Sequence, residues 1–414
     1  MKKWTTNVTE LMRAQSANGV NGELDSNWSR LIRRRKFLQG IGAAGAALPA
    51  ASLFGATATT TTNKLHPGDA ALLQFALTAE LIEADLWQQY NELGGAVDKN
   101  DNPNPGNPSY IAALQNLDGD MPQYISDNTD DEISHAAFLA AYLTSKGVTA
   151  VNLSQYATLQ GSQATGANPT ARRITNLTSL NVDTSWYFRY RSTQNPDLGA
   201  SFPQLLTIKN QPAIPLNDTD TNPNTQVPIP PGKPGPNRMQ AIANTAGFHF
   251  ALVEQGGSSL YPILCLKATS REVLRILLSI GGVEIDHFSL WHDKGANAVA
   301  QPLAGISDPI TGLTFPDFNN PANQHNSQLS AADQAAGGQM FQTNLILPEP
   351  SQFLSASLPP VSIIRPTLDQ NGGAMAAIQG FISHNLFMGQ SNAFVELLFE
   401  LAAQADAVQP EDRR

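Results

Sequence analysis

Five segments of the chain repeat apolar residues every three to four positions, the period of a helix with one buried face. The first starts near Asp69, after Pro67-Gly68, and stops at Gly94-Gly95. The second runs from about Met121 to Lys146 and stops at Gly147. The third runs from about Asn237 to Leu264. The fourth begins at Thr269 or Ser270, with Glu272 placed for a capping box on Thr269, and ends at Gly295. The fifth runs from about Gly373 to Ala407. The stretches 147–236 and 296–370 carry turn signals instead, among them Asn195-Pro196 and Pro234-Gly235-Pro236. Loops of that length are unusual in a compact domain. They are expected to drape over the helices and pack through Trp186, Tyr187, Tyr190 and Phe202. About five residues join the third and fourth segments and about twenty-five the first and second, so each pair reads as an antiparallel hairpin. Hairpin, long crossover, hairpin is the wiring of an all-α four-helix bundle with one crossover connection.

The apolar stripes are interrupted by carboxylates. On the first segment Glu80 shares a face with Ala76, Leu77, Ala84 and Trp87, and Glu83 lies on the edge of that face. Glu132 and His135 share a face with Leu139 on the second, and Glu254 with Phe250, Ala251 and Tyr261 on the third. On the fourth, Glu284 and His287 lie with Leu277, Ile280 and Trp291. Axial heights agree: Glu254 lies roughly ten residues before the turn and Glu284 roughly fourteen after it, at 1.5 Å per residue. A lone buried carboxylate costs several kcal/mol unless it is paired, protonated or bound to metal. Four that converge would repel strongly, and a pair of cations is the simple offset. Glu and His three residues apart are neighbours on a helix, so both reach one ion. Carboxylate and imidazole without thiolate suit iron or manganese.

Composition narrows the picture. Of 414 residues, 41% are hydrophobic, enough for a sizeable core, and only 14% are charged. With 25 Lys+Arg against 35 Asp+Glu the net charge is −10, which argues against nucleic acid as a partner. Cys265 is the single cysteine, so an intramolecular disulfide, a thiolate zinc site and an iron–sulfur cluster are excluded, and Cys265 reads as a buried apolar residue.

Arg34-Arg35-Lys36-Phe37-Leu38-Gln39 follows the twin-arginine export pattern, with Arg33 where Ser or Thr is usual. A Gly/Ala-rich uncharged run and Ala56-Thr57-Ala58, a cleavage signal, come next. The alternative reading of that run is a membrane anchor. Residues 1–58 are therefore expected to be a signal peptide and the protein periplasmic or otherwise exported, with no stable membrane insertion after cleavage. The domain plan is 1–58 signal, 66–295 helical bundle with an insertion at about 147–236, and 296–414 loop-rich extension with a C-terminal helix.

Glu80, Glu132-Ile-Ser-His135, Glu254 and Glu284-Ile-Asp-His287, in that order around a long crossover, resemble the ligand set of the ferritin-like di-iron or di-manganese carboxylate proteins. Leu77–Trp87 looks like the first helix of an exported branch of that superfamily that includes desiccation-related proteins. The resemblance implies a ferritin-like bundle holding two iron or manganese ions that react with O2 or peroxide or oxidise ferrous iron. It implies Glu132 and Glu284 as bridging ligands, Glu80 and Glu254 as terminal ones, and one imidazole per ion from His135 and His287. Asp131 and Asp286 are expected to orient the histidines. The family often has tyrosine seven residues after each lone glutamate; these positions are Trp87 and Tyr261.

Alternatives stand beside these readings. Thr129-x-x-Glu132 also reads as a capping box, which would make Glu132 a cap. Glu83 competes with Glu80, and His292 with His287, although His292 reads as a surface residue beside Asp293. His249 reads as a core or boundary histidine. His66, His325 and His384 lie at loops or a helix with no carboxylate partner nearby in sequence, and Arg172-Arg173 with Arg189 and Arg191 read as solvated or loop-pairing charges. In function, the alternative is a non-catalytic structural or stress-protective envelope protein, whose acidic, Asn/Thr/Gly-rich loops would keep it soluble under dehydration. A storage cage is disfavoured because such loops would obstruct shell packing.

Overall fold

The computed structural model describes residues 64–98, 102–189, 204–221, 235–318, 357 and 373–409. The twin-arginine segment, Tyr190, Arg191, Phe202 and His325 lie outside them. The described chain is mostly helical: α1 Pro67–Gly94, α2 Pro108–Leu117, α3 Met121–Ser145, α4 Arg238–Lys267, α5 Arg271–Gly295, α6 Ala374–Ser383 and α7 Asn392–Asp406. None of these helices is long and apolar enough to cross a membrane.

α1 packs along α3 and α4 along α5, so the two hairpins form the bundle. Local chemistry sets the ends. Pro67 opens α1, and His66 Nδ1 accepts from Gly68 N–H. Asn237 caps α4 by accepting from Gln240 N–H. Ser270, not Thr269, caps α5, so the expected capping box is absent; Glu272 instead pairs with Lys146. Thr269 is taken by Asp69, whose carboxylate accepts from the backbone N–H of Thr269 and Ser270 and from the Thr269 hydroxyl. That carboxylate ties the start of the first hairpin to the turn of the second. At the other end Gly247 and Gly295 bring α4 and α5 into backbone contact, where a Cβ on Gly295 would collide with the Gly247 carbonyl.

Two elements differ from expectation, and a third settles an alternative. The connection between the first hairpin's helices contains α2, started by Asn107 accepting from Tyr110 N–H and by Pro108. The C-terminal segment is two helices: Asn385 and Gly389 adopt positive φ of 62° and 92°, which reverses the chain before Ser391 starts α7. α3 begins at Met121, so Thr129 is interior and donates its hydroxyl to the Ile125 carbonyl; the capping-box reading of Glu132 falls.

The crossover holds two small antiparallel sheets, β1 Leu159–Gln160 with β2 Arg172–Arg173, and β3 Leu180–Val182 with β4 Ile208–Gln211. Trp186 and Tyr187 are buried, with Trp186 against Phe248 of α4. Arg173 pairs with Glu92. The crossover returns at Arg238, a buried guanidinium held between Asp220 and Asp308, both buried. Removing one member of such a set leaves uncompensated charge, whereas exposed pairs contribute little. Arg238→Ala should therefore cost about 3–5 kcal/mol in urea denaturation, and Glu272→Ala at the exposed Lys146 pair less than about 1 kcal/mol.

Candidate metal centre

The helix phase carries six side chains to one level of the bundle: Glu80 from α1, Glu132 and His135 from α3, Glu254 from α4, Glu284 and His287 from α5. The four carboxylates are at most 1% exposed, His135 8% and His287 6%. They form two overlapping groups, Glu80, Glu132, His135 and Glu284, and Glu132, Glu254, Glu284 and His287. In each group one ligand atom per residue lies within 4.8 Å of all the others. Glu132 and Glu284 belong to both.

Both imidazoles turn Nδ1 toward the carboxylates. His135 Nδ1 lies 3.2 Å from Glu80 Oε2, 3.3 Å from Glu132 Oε2 and 3.5 Å from Glu284 Oε1. His287 Nδ1 lies 3.1 Å from Glu132 Oε1 and 3.3 Å from Glu254 Oε2. The two oxygens of Glu132 therefore serve different histidines. His287 Nε2 reaches Asp131 Oδ2 at 3.1 Å, while Asp286 is exposed.

The aromatic residues cross between halves. Trp87 Nε1, seven residues after Glu80, donates to Glu254 Oε1 at 2.9 Å. The Tyr261 hydroxyl, seven residues after Glu254, donates to Glu80. Trp87 stacks on Trp291 and Phe250, closing that end of the cluster with apolar rings. Gly257 makes room on α4: a Cβ there would collide with Glu284 Oε2.

Sequence reasoning missed Asn128. Its Nδ2 donates to Glu132 Oε1 at 2.8 Å and to Glu254 Oε1 at 3.1 Å, and its Oδ1 accepts from Trp291 Nε1 at 2.6 Å. Its place four residues before Glu132 was the available signal. Glu83, the competitor of Glu80, is buried beside the cluster but belongs to neither group. His249 is a core histidine whose Nδ1 meets the Tyr90 hydroxyl at 2.8 Å. His292 is corrected: it is buried, not on the surface, because the crossover lays Trp186 over that side of α5, with ring centroids 5.5 Å apart.

Burial pushes Glu80 up to about 8, with the charge of Glu132 adding to the rise. Burial, then Glu132, raises Glu83 and Glu284 as well. Burial raises Glu254 against the pull of His287. Glu132 goes the other way: burial opposes its charge, but the imidazoles of His135 and His287 beside it hold it at about 2. Burial also opposes a charge on His135, yet Glu132 and Glu80 lift it to about 10. Without metal the imidazoles thus hold protons that partly balance the carboxylates.

The donor set fits a metal. Glu254 Oε2, both oxygens of Glu284, and His287 Nδ1 are buried without a hydrogen-bond partner. Such atoms are costly unless something binds them.

These shifts set the pH response. Glu80, raised from 4.5 to about 8, binds more proton folded than unfolded, so its contribution falls as pH rises across that interval. His135, raised from 6.5 to about 10, contributes fully below the first value and loses it through the second. Metal-free protein should therefore lose thermal stability from about pH 5 to about pH 9, and Mn(II) should remove most of that slope. Circular-dichroism melts with chelator and with Mn(II) measure it; a flat metal-free profile contradicts the assignment.

No curated protein and no solved structure matches this chain. The family model for a ferritin-like domain, Ferritin_2, matches residues 68–296, which run from the start of α1 to the end of α5 and span more than half of the sequence. With the two-hairpin bundle and its buried Glu/His cluster, that match shows that the chain belongs to the ferritin-like family.

Proposed function

We propose that this is an exported ferritin-like protein whose bundle holds two iron or manganese ions and uses them to oxidise ferrous iron or to react with O2 or peroxide. The observation that carries this reading is the sharing of Glu132 and Glu284 between two four-residue groups that each have their own histidine. Two separate ions with two common carboxylates are the simplest occupant of that pattern. Charge agrees: four carboxylates with two neutral imidazoles balance two divalent cations.

Glu80, Glu132, Glu284 and His135 would hold one ion, and Glu132, Glu254, Glu284 and His287 the other. Such a pair supplies Lewis acidity and one-electron redox chemistry to a bound oxidant. The chain's own residues set the conditions. Glu132 spans the two positions, with one oxygen on each histidine's side. Tyr261 and Trp87 fix the outer carboxylates from the opposite half. The Trp87, Phe250 and Trp291 rings exclude water from the end of the site they cover. Asp131 holds His287 by Nε2 and leaves Nδ1 facing the carboxylates.

The test is metal content. The full chain loaded with Fe(II) or Mn(II) without oxygen should hold about two ions, and Glu254→Ala with Glu284→Ala should hold fewer than one. Fe(II) oxidation above the buffer rate, lost in that variant, supports the oxidase reading. Two bound ions without oxidation or peroxide consumption turn it toward the protective role, and no bound metal overturns it.

Export rests on Arg34-Arg35-Lys36-Phe37-Leu38 and Ala56-Thr57-Ala58. Arg34→Lys with Arg35→Lys should leave the protein in the cytoplasm of a bacterial host, whereas the wild type appears in the periplasmic fraction shortened to start near residue 59. Equal fractionation of the two overturns export by this route.

A further inference from the structure

The two halves of the centre correspond position by position. Glu80 on α1 corresponds to Glu254 on α4, and Glu132-x-x-His135 on α3 to Glu284-x-x-His287 on α5. The correspondence carries outward, since Trp87 and Tyr261 hold the same place and exchange the same hydrogen bond. It fails at two positions on α3 and α5, and both failures favour the same half.

The residue before Glu132 is Asp131, which takes the Nε2 of His287 at 3.1 Å. The residue before Glu284 is Val283, which offers His135 no acceptor. His135 meets Glu80 and Glu132 through Nδ1. Four residues before Glu132 is Asn128, which donates to Glu132 and Glu254 together and is itself fixed by Trp291. Four residues before Glu284 is Ile280, a buried hydrocarbon. Neither oxygen of Glu284 accepts a hydrogen bond, with His135 Nδ1 standing 3.5 Å from Oε1, while Glu132 is clamped.

Resting on the two-ion reading above, we propose that the two positions are inequivalent. The position formed by Glu132, Glu254, Glu284 and His287 takes the first divalent cation. The one formed by Glu80, Glu132, Glu284 and His135 fills second and more weakly. Asp131 and Asn128 are the positioning residues that set this order. A carboxylate on Nε2 fixes the tautomer and ring angle of the imidazole, so Nδ1 meets the ion already aligned. Asn128 does the same for the carboxylates of Glu132 and Glu254. Outer partners of this kind change metal affinity by about 10–100-fold.

Stepwise filling alone would not establish this, because any two ions that share carboxylates repel each other. The test isolates each position. In the full chain, His135→Ala leaves the first position intact and His287→Ala leaves the second. Free Mn(II) is counted by its electron paramagnetic resonance signal during anaerobic titration. His135→Ala should bind one Mn(II) with the tighter affinity of the wild type, and His287→Ala one Mn(II) about 10–100-fold more weakly. Asp131→Asn should weaken binding in the His135→Ala background about 10-fold and leave the His287→Ala background unchanged. Val283→Asp in the otherwise native chain gives His135 the acceptor that Val283 does not offer and should raise the weaker affinity about 10-fold, which keeps the proposal testable if a histidine variant fails to fold. Equal affinities in the two single-histidine variants, or no gain from Val283→Asp, overturn the inequivalence and leave the two-ion reading standing. No Mn(II) bound by the wild type overturns both.

Discussion

Like charges confined in a dry bundle core are the constraint from which the rest of this structure follows. Four glutamates point inward at one level, and each buried anion carries a desolvation cost of several kcal/mol before repulsion is counted. Sequence alone makes that arrangement expensive, so the surrounding residues show how the cost is met. His135 and His287 bring cationic partners, Asn128, Trp87 and Tyr261 bring donors, and four polar atoms are still left unsatisfied. A core that existed for stability alone would place hydrocarbon here, since replacing buried charge with well-packed apolar residues is often stabilising.

The bundle is built to hold those groups still. Asp69 pins the start of α1 to the α4–α5 turn, and Gly247 with Gly295 lets α4 and α5 touch backbone to backbone at the other end. Between these fixed ends the helices must spread enough to admit carboxylates, and Gly257 provides the space against Glu284. Arg238 then anchors the returning crossover, so the chain that covers α5 with Trp186 is tied to the bundle through buried ion pairs.

The helix period made much of this legible. Glu80, Glu254 and Glu284 stand out because each interrupts an apolar stripe whose phase is unambiguous. Glu132 was harder, because Thr129 offered a local capping explanation that only the position of Met121 at the helix start removes. α2 escaped notice because ten residues give too few turns for a period to emerge. The apolar pattern continues on both sides of Asn385 and Gly389, so the period alone does not distinguish a chain reversal from continuous helix. The surroundings of His292 and Asp131 are hidden from the helix period for a different reason. Their partners, Trp186 and His287, come from elements distant in the chain, and periodicity describes a helix face without saying what covers it.

The pairing of a tryptophan in one half with a tyrosine in the other shows how close the halves are and where they part. Both aromatics deliver a hydrogen bond to the outer glutamate of the other hairpin. An indole N–H can only donate, so Trp87 favours Glu254 as an acceptor and holds its oxygen in one orientation. A phenol can donate or accept, so Tyr261 tolerates Glu80 in either protonation state. Burial raises both of these carboxylates, Glu80 to about 8. The carboxylate with the fixed partner is also the one that Asn128 holds. One half of the centre is thus held by donors that cannot reverse, and the other keeps a group able to gain or lose a proton at little structural cost.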